Sequence, residues 1–143
     1  MFKVTRALVT FTALATFAAC SDSNGPDDPE PQNFTGSYTL VTFSQGTAAG
    51  VIQVPGTTGN FTMTATMYQA SVTVPVPGGN PIQVDDEGTY TAMGTAAAGT
   101  FTQESSVQAL QYTGTYAWDA ATEQLTLDTT AQTVRTVLVL QKD

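Results

Sequence analysis

From Phe34 onward, apolar residues recur at every second position and no stretch has helical spacing. Alternation places successive side chains on opposite faces of an extended chain, so it specifies strands with one face buried. The pattern is strongest between Val107 and Asp119. Leu110, Tyr112, Tyr116 and Trp118 share one face there, while Gln111, Thr113, Thr115 and Asp119 share the other. Earlier, Phe61, Met63, Ala65 and Met67 alternate with Thr62, Thr64 and Thr66, and then the phase flips, with Tyr68, Ala70, Val72, Val74 and Val76 taking the inward positions. A period of two cannot change face without a break, so a β-bulge or tight turn is expected at Met67–Tyr68. The first strand, Phe34 to Phe43, reads as Phe34, Tyr38 and Leu40 on one face, with Val41 and Phe43 on the other.

Turn residues recur about every ten positions, notably in Pro75–Pro81 and Gly94–Gly99. Ile82–Val84 reads as a brief strand, Glu87–Met93 as a clearer one, and Val134–Leu140 as a closing strand that is apolar on both faces near its end. Gly36-Ser-Tyr38, Gly88-Thr-Tyr90 and Gly114-Thr-Tyr116 repeat a Gly-x-Tyr unit, with Gly99-Thr-Phe101 as a weaker copy. In each, glycine relieves strand curvature while the aromatic residue two positions on fills the same face.

About eight sequential strands with glycine at the bends specify an all-β domain. The expected form is a small up-and-down antiparallel β-barrel, with an immunoglobulin-like β-sandwich as the alternative that the strand count also permits. Gly36-Ser37-Tyr38, at the head of the first strand, resembles the Gly-x-Trp motif of lipocalin-like barrels, with Tyr in place of Trp. The resemblance implies that Arg135 packs across the Tyr38 ring and closes one barrel end. The family's Thr-Asp-Tyr motif is absent.

The N-terminus carries a different signal. Lys3 and Arg6 precede the uncharged run Ala7–Ala19, and small residues then lead to Cys20, the only cysteine. A basic start, a short apolar run and a small-residue exit describe a secretory signal peptide over residues 1–19. Thirteen residues of helix reach about 20 Å, too short for a hydrocarbon core of about 30 Å. Phe17-Ala18-Ala19-Cys20 resembles the lipobox of bacterial lipoproteins, although Phe17 stands where an aliphatic residue is usual. The resemblance implies lipidation at Cys20 and a membrane as partner. Ser21, not Asp, follows the cysteine, which in that pattern favours the outer over the inner membrane. Ordinary cleavage after Ala18 is the alternative, but it would leave a stray thiol in an exported protein. Residues 20–33 are polar, acidic and proline-rich and read as a disordered tether leading to a domain over residues 34–143.

The net charge of −8 moves to −10 once Lys3 and Arg6 depart, leaving Arg135 and Lys142 as the basic residues. So acidic a chain does not neutralise phosphates, and no nucleic acid partner is expected. With no histidine and one thiol, histidine-based triads and Cys/His zinc sites are excluded. No carboxylate pair converges in the pattern, so neither an enzyme, a metal site nor a cofactor is expected, and Asp85-Asp86-Glu87 reads as a solvated turn. The candidate ligand-binding residues are Met63, Met67, Tyr112, Tyr116 and Trp118, which would line an apolar pocket if the barrel is open at one end. The competing possibility is that they fill the core of a small barrel serving as a structural or envelope-protein-binding module.

Overall fold

A computed structural model describes residues 29–143. The signal peptide, Cys20 and the tether up to residue 28 lie outside the described residues. Ten strands follow one another: β1 (Glu30–Gln32), β2 (Gly36–Thr47), β3 (Gly50–Gln53), β4 (Thr58–Met63), β5 (Met67–Val74), β6 (Ile82–Gly94), β7 (Ala98–Ser105), β8 (Gln111–Asp119), β9 (Gln124–Ala131) and β10 (Val134–Lys142). All neighbouring pairs are antiparallel, and β10 returns to pair with β2 over eight residues. The result is a closed, up-and-down barrel of eight staves. The sandwich alternative is thereby set aside, because closure of β10 on β2 and pairing of β6 with β7 leave one continuous sheet.

Three short strands complete the staves. β3 and β4 both pair with the same edge of β2, β4 at Gly36–Thr39 and β3 at Ser44–Thr47, so together they act as one interrupted stave. β1 pairs with β6 at Ala92–Gly94, beyond the reach of β5. Glu30–Gln32 thus belongs to the sheet, not to the tether that its composition suggests. The free edge of β6 supplies the backbone partners that a proline-rich segment cannot find in itself.

The phase flip near Met67 is a tight turn. Met63 pairs with Tyr68, and Thr64 N–H donates to the Met67 carbonyl at 2.9 Å, so Thr64–Thr66 joins β4 to β5. The bulge lies elsewhere. Leu140 faces Leu40 and Val139 faces Thr42, which leaves Val41 without a partner. Val41 stays outside, and the extra residue returns Phe43 to the interior, where it packs against the core. Phe43 therefore shares the inner face with Tyr38 and Leu40 rather than opposing them.

The core fills only one end of the barrel. Tyr38, Tyr116, Phe101, Leu125 and Leu140 are its largest fully buried side chains. The Tyr90 and Phe101 rings stack with centroids 5.6 Å apart, and Phe34 meets Tyr116 edge-on at 4.9 Å. The Gly-x-Tyr units explain this packing. A Cβ on Gly114 would overlap the Asp128 carbonyl oxygen, and one on Gly88 that of Glu104, so only glycine admits the neighbouring strand. The aromatic residue that follows each glycine then points into the space so narrowed. Its hydroxyl reaches backbone at the closed end: Tyr38 donates to the Phe34 carbonyl (2.8 Å), Tyr90 to Thr64 (2.6 Å), and Tyr116 to Thr95.

Candidate functional site: an open cup with one internal carboxylate

The opposite end is hollow. A cavity of about 470 Å³ lies between the ends of β2, β5, β7 and β9 and the beginnings of β6, β8 and β10. That volume falls within the roughly 300–1,000 Å³ range of small-molecule pockets. Phe43, Phe61, Val72, Val74 and Leu138 supply apolar wall, and polar atoms come from Gln45, Gln103, Tyr112, Thr129 and Thr136. The side chains are inward by the same alternation as the core residues, except on β2, where the Val41 bulge brings Phe43 and Gln45 to the inner face. The end stays open because Ala70, valines and threonines take many of its inward positions, while its larger side chains, Phe43, Phe61 and Tyr112, lie along the wall.

Among the described residues, one carboxylate lines this cup. Asp86 sits in the middle of β6, two residues before Gly88 and four before Tyr90, and so faces inward while Asp85 and Glu87 face out. Asp85-Asp86-Glu87 is therefore not a solvated turn but the centre of the longest strand. Tyr68 Oη donates to Asp86 Oδ2 at 2.9 Å, and Ser105 Oγ donates to Oδ1. Ser105 Oγ in turn accepts the Gln108 N–H at 2.9 Å, which ties the β7–β8 turn to the carboxylate. Burial foremost, and then the hydrogen bond to Asp86 and its charge, push the Tyr68 hydroxyl far above its ordinary value, with Gln103 and Ser105 pulling the other way. Burial and then the charge of Asp86 also raise Tyr112.

The sequence-derived candidates scatter over the barrel. Tyr112 lines the cup, with its hydroxyl toward Gln108 (3.3 Å). Met63 and Tyr116 belong to the packed end. Trp118 packs against that core and borders a smaller hollow of about 230 Å³ with Phe34, Tyr38 and Lys142. Met67 begins β5 just after the tight turn and is 56% exposed. The face shared by Tyr112, Tyr116 and Trp118 is real, but it runs the length of the barrel and crosses from cup to core.

The Tyr38–Arg135 pair does not form. Tyr38 is opposite Lys142, whereas Arg135 is opposite Gly46 at the far end of β10, roughly 24 Å along the strand. Arg135 instead grips Asp128 with two parallel bonds, Nε to Oδ1 at 2.8 Å and Nη2 to Oδ2 at 2.6 Å, on the outside of the barrel. The pair that the family resemblance implied fails on both counts: Arg135 lies at an odd spacing from inward Leu138 and Leu140, so it faces out, and it sits at the other end of β10 from Tyr38.

Neither a protein-family model nor a curated protein matches the chain. A solved structure similar to it is a de novo designed fluorescence-activating β-barrel, with 15% identity over 78% of this chain and 95% of that one, at a TM-score of 0.45. The likeness is one of barrel form. The closed barrel rests on the chain's own strand pairings.

Proposed function

We propose that this chain is a non-enzymatic binding protein of the bacterial envelope, anchored through lipid on Cys20, whose barrel holds one small, largely apolar molecule. The observation that carries the binding half is the division of the interior: one end packed with aromatic side chains, the other a cup of about 470 Å³ with apolar walls and a few convergent polar groups. Eight staves leave room for either filling side chains or one small ligand, and this barrel uses each option at a different end.

The anchoring half rests on the N-terminal pattern Phe17-Ala18-Ala19-Cys20. A mature lipoprotein carries more than one acyl chain, enough for stable attachment. The outer membrane is the expected location in a host with two membranes. The chain joins the barrel through β1, beside the β6–β7 turn at the closed end. On this proposal the mouth is the end remote from the attachment point and open to the surrounding compartment.

Exposed Ile52, Ile82 and Val107 lie on elements at the open end and favour a second reading, in which that end docks on another envelope protein. Native mass spectrometry separates the two. Protein purified without detergent from its own host is expected to carry an added small-molecule mass that is lost on denaturation. A clean mass for the chain alone, together with no binding of apolar probes, would sink the cup and leave the docking reading. For the anchor, Cys20→Ser is expected to lose acylation and membrane retention, and an acylated or unchanged membrane fraction would refute it.

A further inference from the structure

Taking the cup as a binding site, we propose that it selects a cationic amphiphile, a small apolar amine whose ammonium group rests on Asp86. Two features of the cup carry this. First, among the described residues, Asp86 is the one side chain with a carboxylate or basic group on the cup lining, and its hydroxyl partners are neutral. An ionised carboxylate offers about four acceptor positions, and Tyr68 and Ser105 occupy one on each oxygen, so acceptor capacity remains. Second, no cationic side chain of the described residues lines the cup. Arg135 is committed to Asp128 on the outer face, and Lys142 lies at the closed end beside Trp118.

These two facts order the possible ligands. A purely apolar occupant would strip water from Asp86 and return no countercharge, an unfavourable exchange for an ion. A fatty acid would add a second negative charge to the same compartment. An ammonium both replaces the lost water and neutralises the carboxylate, while its chain covers Phe61, Val72 and Leu138. The acidity of the whole chain draws cations toward the mouth, but the inward position of Asp86 is what would distinguish an amphiphilic amine from a simple counterion.

The test uses octylamine, octanol and octanoate as a matched series on residues 29–143, which close the barrel and contain its core. Titration calorimetry at neutral pH and moderate salt is expected to give octylamine at least about tenfold tighter than octanol, with octanoate weakest. Asp86→Asn is expected to bring octylamine to the level of octanol. Asp85→Asn, which removes the same charge from the outer face, is expected to leave the preference intact. Equal affinity for amine and alcohol, or a preference lost equally in both variants, would overturn amine selection and leave the cup standing. No binding by any of the three would overturn the cup reading as well. Because Asp86→Asn breaks a hydrogen-bonded set, the native chain gives an independent readout. Nuclear Overhauser contacts from the methylene next to nitrogen are expected at Tyr68 and Ser105, and contacts at Val134 on the rim instead would refute the assignment.

Discussion

The two ends of this barrel are built from the same eight staves and are treated in opposite ways. At the closed end, Gly-x-Tyr units bring strands close, stack Tyr90 on Phe101, and send three tyrosine hydroxyls to backbone carbonyls. At the open end small and β-branched residues stand between the larger wall side chains, and the polar set around Asp86 faces a void. Packed aromatic contacts are thus concentrated in one half and unfilled volume in the other. A barrel can afford an empty end only if the other end holds the closure, because an unfilled interior forfeits dispersion contacts and apolar burial.

The largest expected effect tests that division. Phe101→Ala removes a ring that is 1% exposed and stacked in the closed end, and should cost about 3–5 kcal/mol. Val74→Ala takes apolar surface from the half-buried cup wall and should cost under about 1 kcal/mol, since solvent or ligand can occupy the space. Denaturant unfolding followed by Trp118 fluorescence measures both. Comparable losses would mean that the cup wall bears as much of the stability as the aromatic end, and the comparison would fail.

What was legible in the sequence follows the same line. The alternation in β9, with Leu125 and Leu127 buried, and in β8, with Tyr112, Tyr116 and Trp118 on one face, is local information and was readable. So was the role of Gly-x-Tyr. The Val41 bulge was not, since nothing in Leu40-Val41-Thr42 marks which residue drops out of register, and the slip alone decides that Phe43 points inward. The Tyr38–Arg135 expectation, taken from a family resemblance, failed because Arg135 faces out and register sets it opposite Gly46. The emptiness of the cup is a sum of side-chain volumes from eight strands and has no local signature. Asp86 was within reach: counting back by twos from Tyr90 through Gly88 puts it inside. The three adjacent acids concealed it by suggesting a solvated turn.

Alkaline pH sharpens the comparison at an intermediate scale. Burial, and then the charge of Tyr90, push the Tyr38 hydroxyl up to about 12, and burial foremost raises Tyr90 and Tyr116 as well. A folded value above the unfolded value of about 10 means that the contribution is complete below pH ~10. It is lost as the pH rises from there through about 12. The closed-end tyrosines should therefore ionise together with unfolding, in one cooperative step in tyrosinate absorbance. Tyr112, half-exposed in the cup, should ionise reversibly before that step, and Tyr112→Phe should delete the early phase. A gradual titration of all five tyrosines without unfolding would show that the closed end opens as freely as the cup.

The smallest effect belongs to the outer face near the mouth. Asp128 and Arg135 form a two-bond pair between β9 and β10, and the hydrogen bonds and charge of Arg135 hold the Asp128 carboxyl below its ordinary value. Both side chains are about a third exposed, at 33% and 35%, so solvent screens the pair and its worth is about 0.2–1 kcal/mol. A depressed folded value means that this contribution is present above the unfolded value of about 4 and is lost as the pH falls below it. Asp128→Asn should therefore lower stability slightly at pH 7 and not at pH 3, and high salt should shrink the difference at pH 7. A loss of several kcal/mol at neutral pH would mean that the β9–β10 clasp holds the barrel shut from the open end. Closure would then be shared between the two halves, and the aromatic end would no longer be its main support.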